Sequence, residues 1–319
     1  LVFMNHVSFI TPLLYLFYKI FGNPFSFIWL QNLMLAFTAP FVYLIGKMKS
    51  NRIGIAFAIS YLINPALWGL GVFDAHLEGL LPFFYMLSLY LYLRGSKFFL
   101  LSFALLLSVI DTGAALALFF AIGLIFYEYL SKRKRKKMVK ELIASIALSI
   151  LFIALYWHIS ISINSNVPPQ LKAMNFFGEQ KNVLINSTSN KLGLASIFWL
   201  LMAFFSFRIS ILYAFLRSLL FLLPWIGEVF AAKNILFINP YMQYFAYAIG
   251  GLAGSLLGAQ SNRLDSGKIE KSIYAFSIIF LLSFLAIYHF PSPFAKNQVS
   301  TNLDIIINAS YANTSIMAQ

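Results

Sequence analysis

Long apolar runs, separated by short basic or polar segments, dominate the pattern along the chain. A membrane-spanning helix needs about 20 apolar residues to cross a hydrocarbon core of about 30 Å. The runs that approach or exceed this length are 7–21, 24–46, 53–69, 79–93, 98–127, 138–160, 193–225, 242–260 and 269–290. The pattern therefore predicts an all-α, polytopic integral membrane protein.

Two of the runs are too long for one upright helix and too short for two full ones. As a single helix, 98–127 would extend over about 45 Å. If it crossed once, the basic block 131–137 would lie on the opposite side from Arg94, against the positive-inside rule. We therefore predict a hairpin bent at Asp111-Thr112-Gly113, and a similar break near Arg208 in the seventh run.

The hairpins give about ten transmembrane helices, with an outer-face juxtamembrane helix beside them. The predicted organisation is an outer-face juxtamembrane segment over 1–22, a helical bundle over 23–290 with an outer loop at 161–192, and an outer-face tail over 291–319. Both ends of the chain are then extracytoplasmic, in the cell membrane. Because the chain opens on Leu1 and becomes apolar almost at once, we expect it to lack an N-terminal portion.

Composition agrees with a membrane protein and excludes soluble and disordered classes. Of the 319 residues, 61% are hydrophobic and 10% are charged, whereas soluble domains average about 25% charged residues. The net charge of +13 would also suit nucleic acid, but the basic residues punctuate the spans, so we expect no nucleic-acid partner. Cysteine is absent, which excludes disulfides and thiolate metal sites.

Three ionisable residues cluster in one short outer loop, Phe73-Asp74-Ala75-His76-Leu77-Glu78. A carboxylate here could be a general base, or could bind a divalent metal together with His76. If the segment is helical, Asp74 and Glu78 share one face and His76 points elsewhere. The alternative is a solvated loop in which these groups simply meet water.

Two further charged residues fall inside apolar runs. Asp111 follows only 13 apolar residues, so we place it below the outer membrane surface, where an acid is a functional candidate. It could instead cap the helix that starts at Gly113. Arg217 lies within a span and could pair with Asp111, bind a lipid phosphate, or extend to the interface.

Small residues recur every fourth position at Ala246, Gly250, Gly254 and Gly258. Such a stripe lets two helix backbones approach closely, so we predict a helix-packing partner there, in the same chain or in another subunit. The chain lacks a Gly-rich phosphate loop, His-Glu-x-x-His and Gly-x-Ser-x-Gly. No cofactor is therefore identified, and a divalent metal stays open.

Short motifs near the start resemble those of large lipid-dependent glycosyltransferases with the GT-C fold. Asn5-His6-Val7-Ser8-Phe9, followed by an apolar stretch ending in Phe21-Gly22-Asn23-Pro24, is similar to the outer segment after their first span. The strongest resemblance is to a sub-family of archaeal and bacterial membrane proteins of unknown function. Its pattern has proline where this chain has Phe9.

Later motifs extend the resemblance over about residues 1–260. Phe73–Glu78 matches a Phe-Asp-x-His-x-Glu pattern, with Leu77 in place of a usual proline. Ile110-Asp111-Thr112 is similar to a Lys/Arg-Glu-Asp run but keeps one acid. Leu223-Pro224 and Gln243-Tyr244 resemble a Leu-Pro before an outer loop and a Tyr-rich entry to a late span.

The resemblance implies inverting sugar transfer from a polyprenyl-phosphate donor on the extracytoplasmic face. It implies catalytic roles for Asp74, Glu78 and Asp111. The implied substrate-binding residues are His6, His76, Arg217, Gln243 and Tyr244. The implied partners are membrane lipid and the lipid-linked sugar. The alternative functions are a lipid or solute transporter or flippase, which the buried charges at 111 and 217 favour, and a non-catalytic membrane subunit.

Overall fold

The computed structural model of the protein describes residues 8–23, 25–72, 76–130, 136–163, 220–221, 223–224, 246, 248–260 and 265–287. These residues form helices joined by short turns, and no strand occurs among them, which confirms the all-α prediction. In chain order the helices are α1 (Thr11–Phe21), α2 (Phe25–Lys47), α3 (Asn51–Leu62), α4 (Pro65–Val72), a 3₁₀ helix (Leu77–Leu80), α5 (Leu81–Arg94), α6 (Phe99–Ser108), α7 (Asp111–Leu130), α8 (Lys136–Ile163), α9 (Ile249–Ala259) and α10 (Ser266–Ile287).

Three described helices are long and apolar enough to cross a membrane by themselves. They are Phe25–Lys47, Asp111–Tyr129 and Met138–Ile159. Two shorter apolar helices, Phe99–Ser108 and Ile249–Ala259, fall below the length of a full crossing. An integral membrane protein is therefore supported, and the number of about ten crossings stays a prediction.

Helices α2 and α3 form a tight hairpin in which glycines let the backbones touch. An ideal Cβ on Gly54 would lie 2.7 Å from the carbonyl oxygen of Tyr43, and one on Gly46 would lie 2.8 Å from the Gly54 Cα. The Ser50 side chain caps α3 by accepting a hydrogen bond from the Ile53 N–H at 3.2 Å. The hairpin turn is therefore fixed by its own sequence.

The apolar run 53–69 does not form one continuous helix. Helix α3 ends at Leu62, and α4 starts again at Pro65, because the residue before a proline is disfavoured in helical conformation. The Tyr61 hydroxyl donates to the Leu35 carbonyl at 2.9 Å, so the end of α3 lies against the middle of α2. Together α3 and α4 run along α2 as a broken span.

Helices α5 and α7 run parallel. The ring of Tyr85 lies 4.4 Å from that of Phe120, centroid to centroid. The Tyr92 hydroxyl donates to Glu128 at 2.9 Å. In both pairs, the residue of α7 has a number about 35 higher than that of its neighbour in α5. The two helices therefore run in the same direction, with such pairs at the same height along their axes.

Helix α6 runs antiparallel to its neighbours, which confirms the predicted hairpin. Ser88 and Ser102 share a hydrogen bond of 3.1 Å, and the rings of Tyr92 and Phe99 lie 5.3 Å apart. The bend falls at residues 109–110 rather than at Asp111-Thr112-Gly113. The bend therefore precedes the predicted position, and Asp111 is the first residue of α7.

The described basic residues gather at one end of these helices. Gln31 touches Gly79, and Phe41 lies between Phe83 and Tyr90, so α2 is parallel to α5 and their carboxyl ends coincide. We call this the basic end, and the opposite end the His76 end. The basic end carries Lys47, Lys49, Arg52, Arg94, Lys97, Lys136, Lys137, Lys140, Lys268 and Lys271. Among described residues, Lys19 of α1 is the one basic side chain at the His76 end.

Helix α9 is buried along its entire length. The Phe221 backbone lies so close to Gly250 that a Cβ there would collide with it, while Gly258 has room for one. The Gln260 amide donates to the Ile45 carbonyl at 2.9 Å, which places the end of α9 at the basic end. The predicted glycine stripe thus meets a segment of the same chain at Gly250, and a subunit partner stays a prediction.

Helix α10 begins in the first of two compact units, residues 1–281, where Ser277 shares a 2.6 Å hydrogen bond with Ser60 of α3. The second unit is residues 282–319, of which 282–287 are described. The predicted segments 1–22, 23–290 and 291–319 refer to a membrane that the structure does not contain, so they stay predictions. Residues 161–163 of the predicted loop are the last residues of α8. The break near Arg208, the rest of the loop to 192 and the tail lie outside the described residues.

Candidate functional site

The first turns of α5 and α7 meet at the His76 end. An ideal Cβ on Gly113 would lie 3.0 Å from the Leu81 side chain. Asp111, the first residue of α7, lies two residues before Gly113 at this same end. Glu78 lies in the 3₁₀ helix that leads into α5. Two predicted site residues, Glu78 and Asp111, are therefore located at the amino ends of neighbouring helices.

Glu78 is nearly buried, and His76 is its partly exposed neighbour. Their side chains are 4% and 34% exposed, and His76 Nδ1 lies 4.0 Å from Glu78 Oε2. His76 is extended, at φ −122° and ψ 143°, and helical structure begins only at Leu77. The condition of a helix is thus not met at His76, and the expected separation of His76 from Glu78 does not apply. A carboxylate beside an imidazole at a helix amino end suits acid–base chemistry, because the peptide dipoles stabilise negative charge there.

Asp111 is half-buried at the start of α7. Its Oδ1 accepts a hydrogen bond from the Thr112 N–H at 2.8 Å, so the carboxylate satisfies one amino-terminal N–H of the helix. The capping interpretation is therefore correct in kind, although the helix starts at Asp111 and not at Gly113. Capping by one oxygen leaves the functional interpretation open, since both roles can coexist.

Three successive carbonyls at the end of α6 are held by distant parts of the chain. The Tyr156 hydroxyl donates to Leu107 at 2.8 Å, and the Ser8 hydroxyl donates to Val109 at 2.7 Å. Between them, the Ser108 carbonyl accepts from the N–H groups of residues 9 and 10, at 3.0 and 2.9 Å. Carbonyls at a helix end need such partners away from water. The corner that presents Asp111 is therefore fixed by α8 and by the segment before α1.

Phe9 contacts α6 through its backbone and α8 through its ring. Its N–H donates to the Ser108 carbonyl, and proline has no N–H. Its ring packs against Phe152 and Tyr156, with centroids 5.5 and 4.9 Å apart. The departure from the pattern is thus part of the packing around the α6–α7 corner.

Gln31 of α2 is a site residue that the sequence reasoning missed. It is 3% exposed. Its Nε2 donates to the Leu70 carbonyl at 2.6 Å, and its Oε1 accepts from the His76 N–H at 2.8 Å. The adjacent Asn32 donates to the Gly71 carbonyl at 3.0 Å. Two consecutive amides in an apolar span were the available signal, since buried polar groups require partners.

A family model described as "Predicted membrane protein (DUF2079)" matches residues 2–316 of the chain. The chain belongs to the DUF2079 family. This confirms the resemblance to a membrane family of unknown function. No curated protein and no solved structure matches the chain.

Other predicted site residues of this DUF2079 protein lie outside the described residues. They are His6, Asp74, Arg217, Gln243 and Tyr244. Within the described ranges, no group of three or more His, Asp and Glu side chains is placed to hold a metal ion. His76 and Glu78 are a pair, which alone is a weak metal site. A divalent metal therefore stays a prediction.

A second missed residue lies at the basic end. Glu128 is 5% exposed, and its Oε1 accepts from the Tyr92 hydroxyl. Among the described residues, its Oε2 is buried without a hydrogen-bond partner. Unlike Glu78 and Asp111, Glu128 lies away from the His76 end of this DUF2079 protein. Its signal was an acid at the end of a long apolar run, where ionisable groups are costly.

Proposed function

We propose that this DUF2079 protein is a membrane glycosyltransferase of the GT-C type that takes sugar from a polyprenyl-phosphate donor. The observation that carries the proposal is the location of the Glu78–His76 pair and of Asp111 at the amino ends of neighbouring helices, opposite the basic residues. Under the positive-inside rule the basic end is cytoplasmic. The His76 end then faces the side on which lipid-linked sugars would be used.

The proposed chemistry needs a base and a way to position the acceptor hydroxyl. Asp111 and His76 are the partly exposed titratable groups of the described site, so they are the groups that contact substrate. One of them takes the proton of the acceptor hydroxyl. The acceptor oxygen then bonds to the anomeric carbon of the sugar. The bond between that carbon and the donor phosphate breaks at the same time, and the lipid phosphate leaves with the bonding electrons. Glu78 orients His76, and Asp74 is proposed from the sequence as base or helper.

The test is transfer of labelled sugar from polyprenyl-phosphate donors by the full-length protein in proteoliposomes. We expect Asp111→Asn, and separately His76→Gln, to lower the rate by about 10²- to 10⁴-fold if the residue is the base. Asp74→Asn tests the residue proposed from sequence. Asp265→Asn is the matched control, because Asp265 is an exposed carboxylate at the basic end that binds the Gly267 N–H. Absence of transfer with every donor, or full activity in all three site variants, would contradict the proposal.

A transporter is the second candidate, and one observation favours it. Helix α7 carries Asp111 at its start and the buried Glu128 near its other end. Ionisable groups at depth on one spanning helix are typical of ion or proton pathways. The measurement is substrate counterflow in proteoliposomes. Counterflow that persists unchanged in both Asp111→Asn and Glu128→Gln would argue against this function.

A further inference from the structure

We propose that Gln31 is a positioning residue that holds the chain on both sides of residues 73–75 and so fixes His76 beside Glu78. The binding part of this inference stands on the structure alone. Its catalytic consequence rests on the proposed function. Gln31 itself is too deeply buried to touch a substrate.

One side-chain amide makes both contacts. Gln31 Nε2 lies 2.6 Å from the Leu70 carbonyl, near the end of α4, and Oε1 lies 2.8 Å from the His76 nitrogen. The backbone at the end of α4 and the backbone at His76 are therefore bound by two atoms of one planar amide group. His76 is in turn two residues from Glu78, whose carboxylate lies 4.0 Å from its imidazole.

Gly79 makes room for this arrangement. An ideal Cβ on Gly79 would lie 2.6 Å from Gln31 Cγ and 2.8 Å from Oε1. Any larger residue would displace the amide from its partners. The glycine is helical and is not needed for a special backbone conformation, since the positive-φ glycines of the described chain are Gly22 and Gly95. Its role is to accommodate Gln31.

The contact requires a neutral amide. Glutamine offers one donor and one acceptor, so it can satisfy a carbonyl and an N–H together. A glutamate would set two oxygens against each other at Leu70. A methionine would fill the space but leave both backbone groups without a partner in an apolar interior, where water does not replace it. Asn32 makes one-sided contacts, to the carbonyls of Ile28 and Gly71.

The first experiment measures hydrogen exchange of the amide of His76 in the full-length protein in detergent or nanodiscs. We expect about three- to tenfold faster exchange in Gln31→Met, the factor for loss of one net hydrogen bond. Gly79→Ala should reproduce this increase through displacement of the amide. Asn32→Leu is the matched control and should leave exchange at His76 unchanged, because Asn32 binds only the α4 side.

Unchanged exchange at His76 in both Gln31→Met and Gly79→Ala would overturn the inference, whether or not the protein transfers sugar. If Gln31→Met fails to fold, Gly79→Ala alone decides. Exchange in peptides from α6 and α8 serves as the measure of global integrity. An equal increase everywhere would show loss of stability instead of local release, and would also overturn it.

The second experiment tests the catalytic consequence. We expect Gln31→Met to lower kcat by about 10- to 100-fold, the cost of a small misplacement of a reacting group, with KM for the donor nearly unchanged. Local release with unaltered kcat would overturn the positioning role. If the unaltered protein transfers no sugar while exchange at His76 still depends on Gln31, the proposed function fails and the structural role of Gln31 remains.

Discussion

At the scale of single residues, the two oxygens of the Glu128 carboxylate differ in their hydrogen bonding. One oxygen accepts from the Tyr92 hydroxyl at 2.9 Å, and the other is buried without a hydrogen-bond partner among the described residues. A buried polar group without a partner costs about 1–3 kcal/mol. Among the described residues, the observed hydrogen bond that stabilises this carboxylate is the one from the Tyr92 hydroxyl.

We predict that Tyr92→Phe lowers the free energy of unfolding by about 1–3 kcal/mol, because it leaves the second oxygen of Glu128 unpaired. The measurement is reversible denaturation in mixed micelles. The double variant Tyr92→Phe/Glu128→Met should recover most of the loss, since replacing both partners by apolar groups is close to neutral. A double variant as unstable as Tyr92→Phe would disprove the explanation.

At the scale of elements, the hairpin of α2 and α3 depends on backbone contact. The spaces beside Gly46 and Gly54 are occupied by the opposing backbone, not by flexible side chains. The hairpin therefore cannot absorb an added methyl group by a change of rotamer. The helices must separate instead.

We predict that Gly54→Ala lowers the free energy of unfolding by about 1–3 kcal/mol, the usual cost of overpacking. Thermal unfolding of the purified protein in detergent is the measurement. Gly258→Ala is the control, because no atom of the described residues lies within 4 Å of its ideal Cβ. That change should be neutral or stabilising by up to about 1 kcal/mol from helix propensity. Equal loss in both variants would contradict the backbone-contact explanation.

Element types followed from the sequence further than element boundaries did. Charge parity predicted the α6–α7 hairpin correctly, because the positive-inside rule acts on whole crossings. The interruption between Leu62 and Pro65 was missed because apolar residues continue through it, although Pro65 was a visible signal.

The sequence predicted some residues of the candidate site and missed others. Glu78 and Asp111 stood out as rare charges, but the partners of Gln31 are backbone groups 39 and 45 positions away, which no spacing along the chain reveals.

At the scale of the whole molecule, the described basic residues separate from the Glu78–His76–Asp111 site. The turns after α2 and α5 and the start of α10 carry positive charge at a common end. The coincidence of these ends comes from the parallel packing of α2 and α5. Which end is cytoplasmic is an inference from charge.

Orientation can be tested cleanly because the chain has no cysteine. We predict that Met48→Cys, at the basic end, and Asn23→Cys, at the His76 end, react with a membrane-impermeant maleimide from opposite sides of sealed vesicles. Both residues are exposed. Asn23→Cys should label from the extracytoplasmic side. Labelling of both positions from one side would disprove the arrangement.

Helix α7 has an electrical consequence. Asp111 and Glu128 are about 26 Å apart along its axis, nearly the thickness of a hydrocarbon core of about 30 Å. Most of a transmembrane voltage therefore falls between the two carboxyl groups. A negative charge at one of them differs in energy from the same charge at the other by about 2 kcal/mol per 100 mV. In a membrane that α7 crosses upright, the resting voltage of a cell therefore gives a charge a different energy at the two ends of the helix, without any movement of the protein.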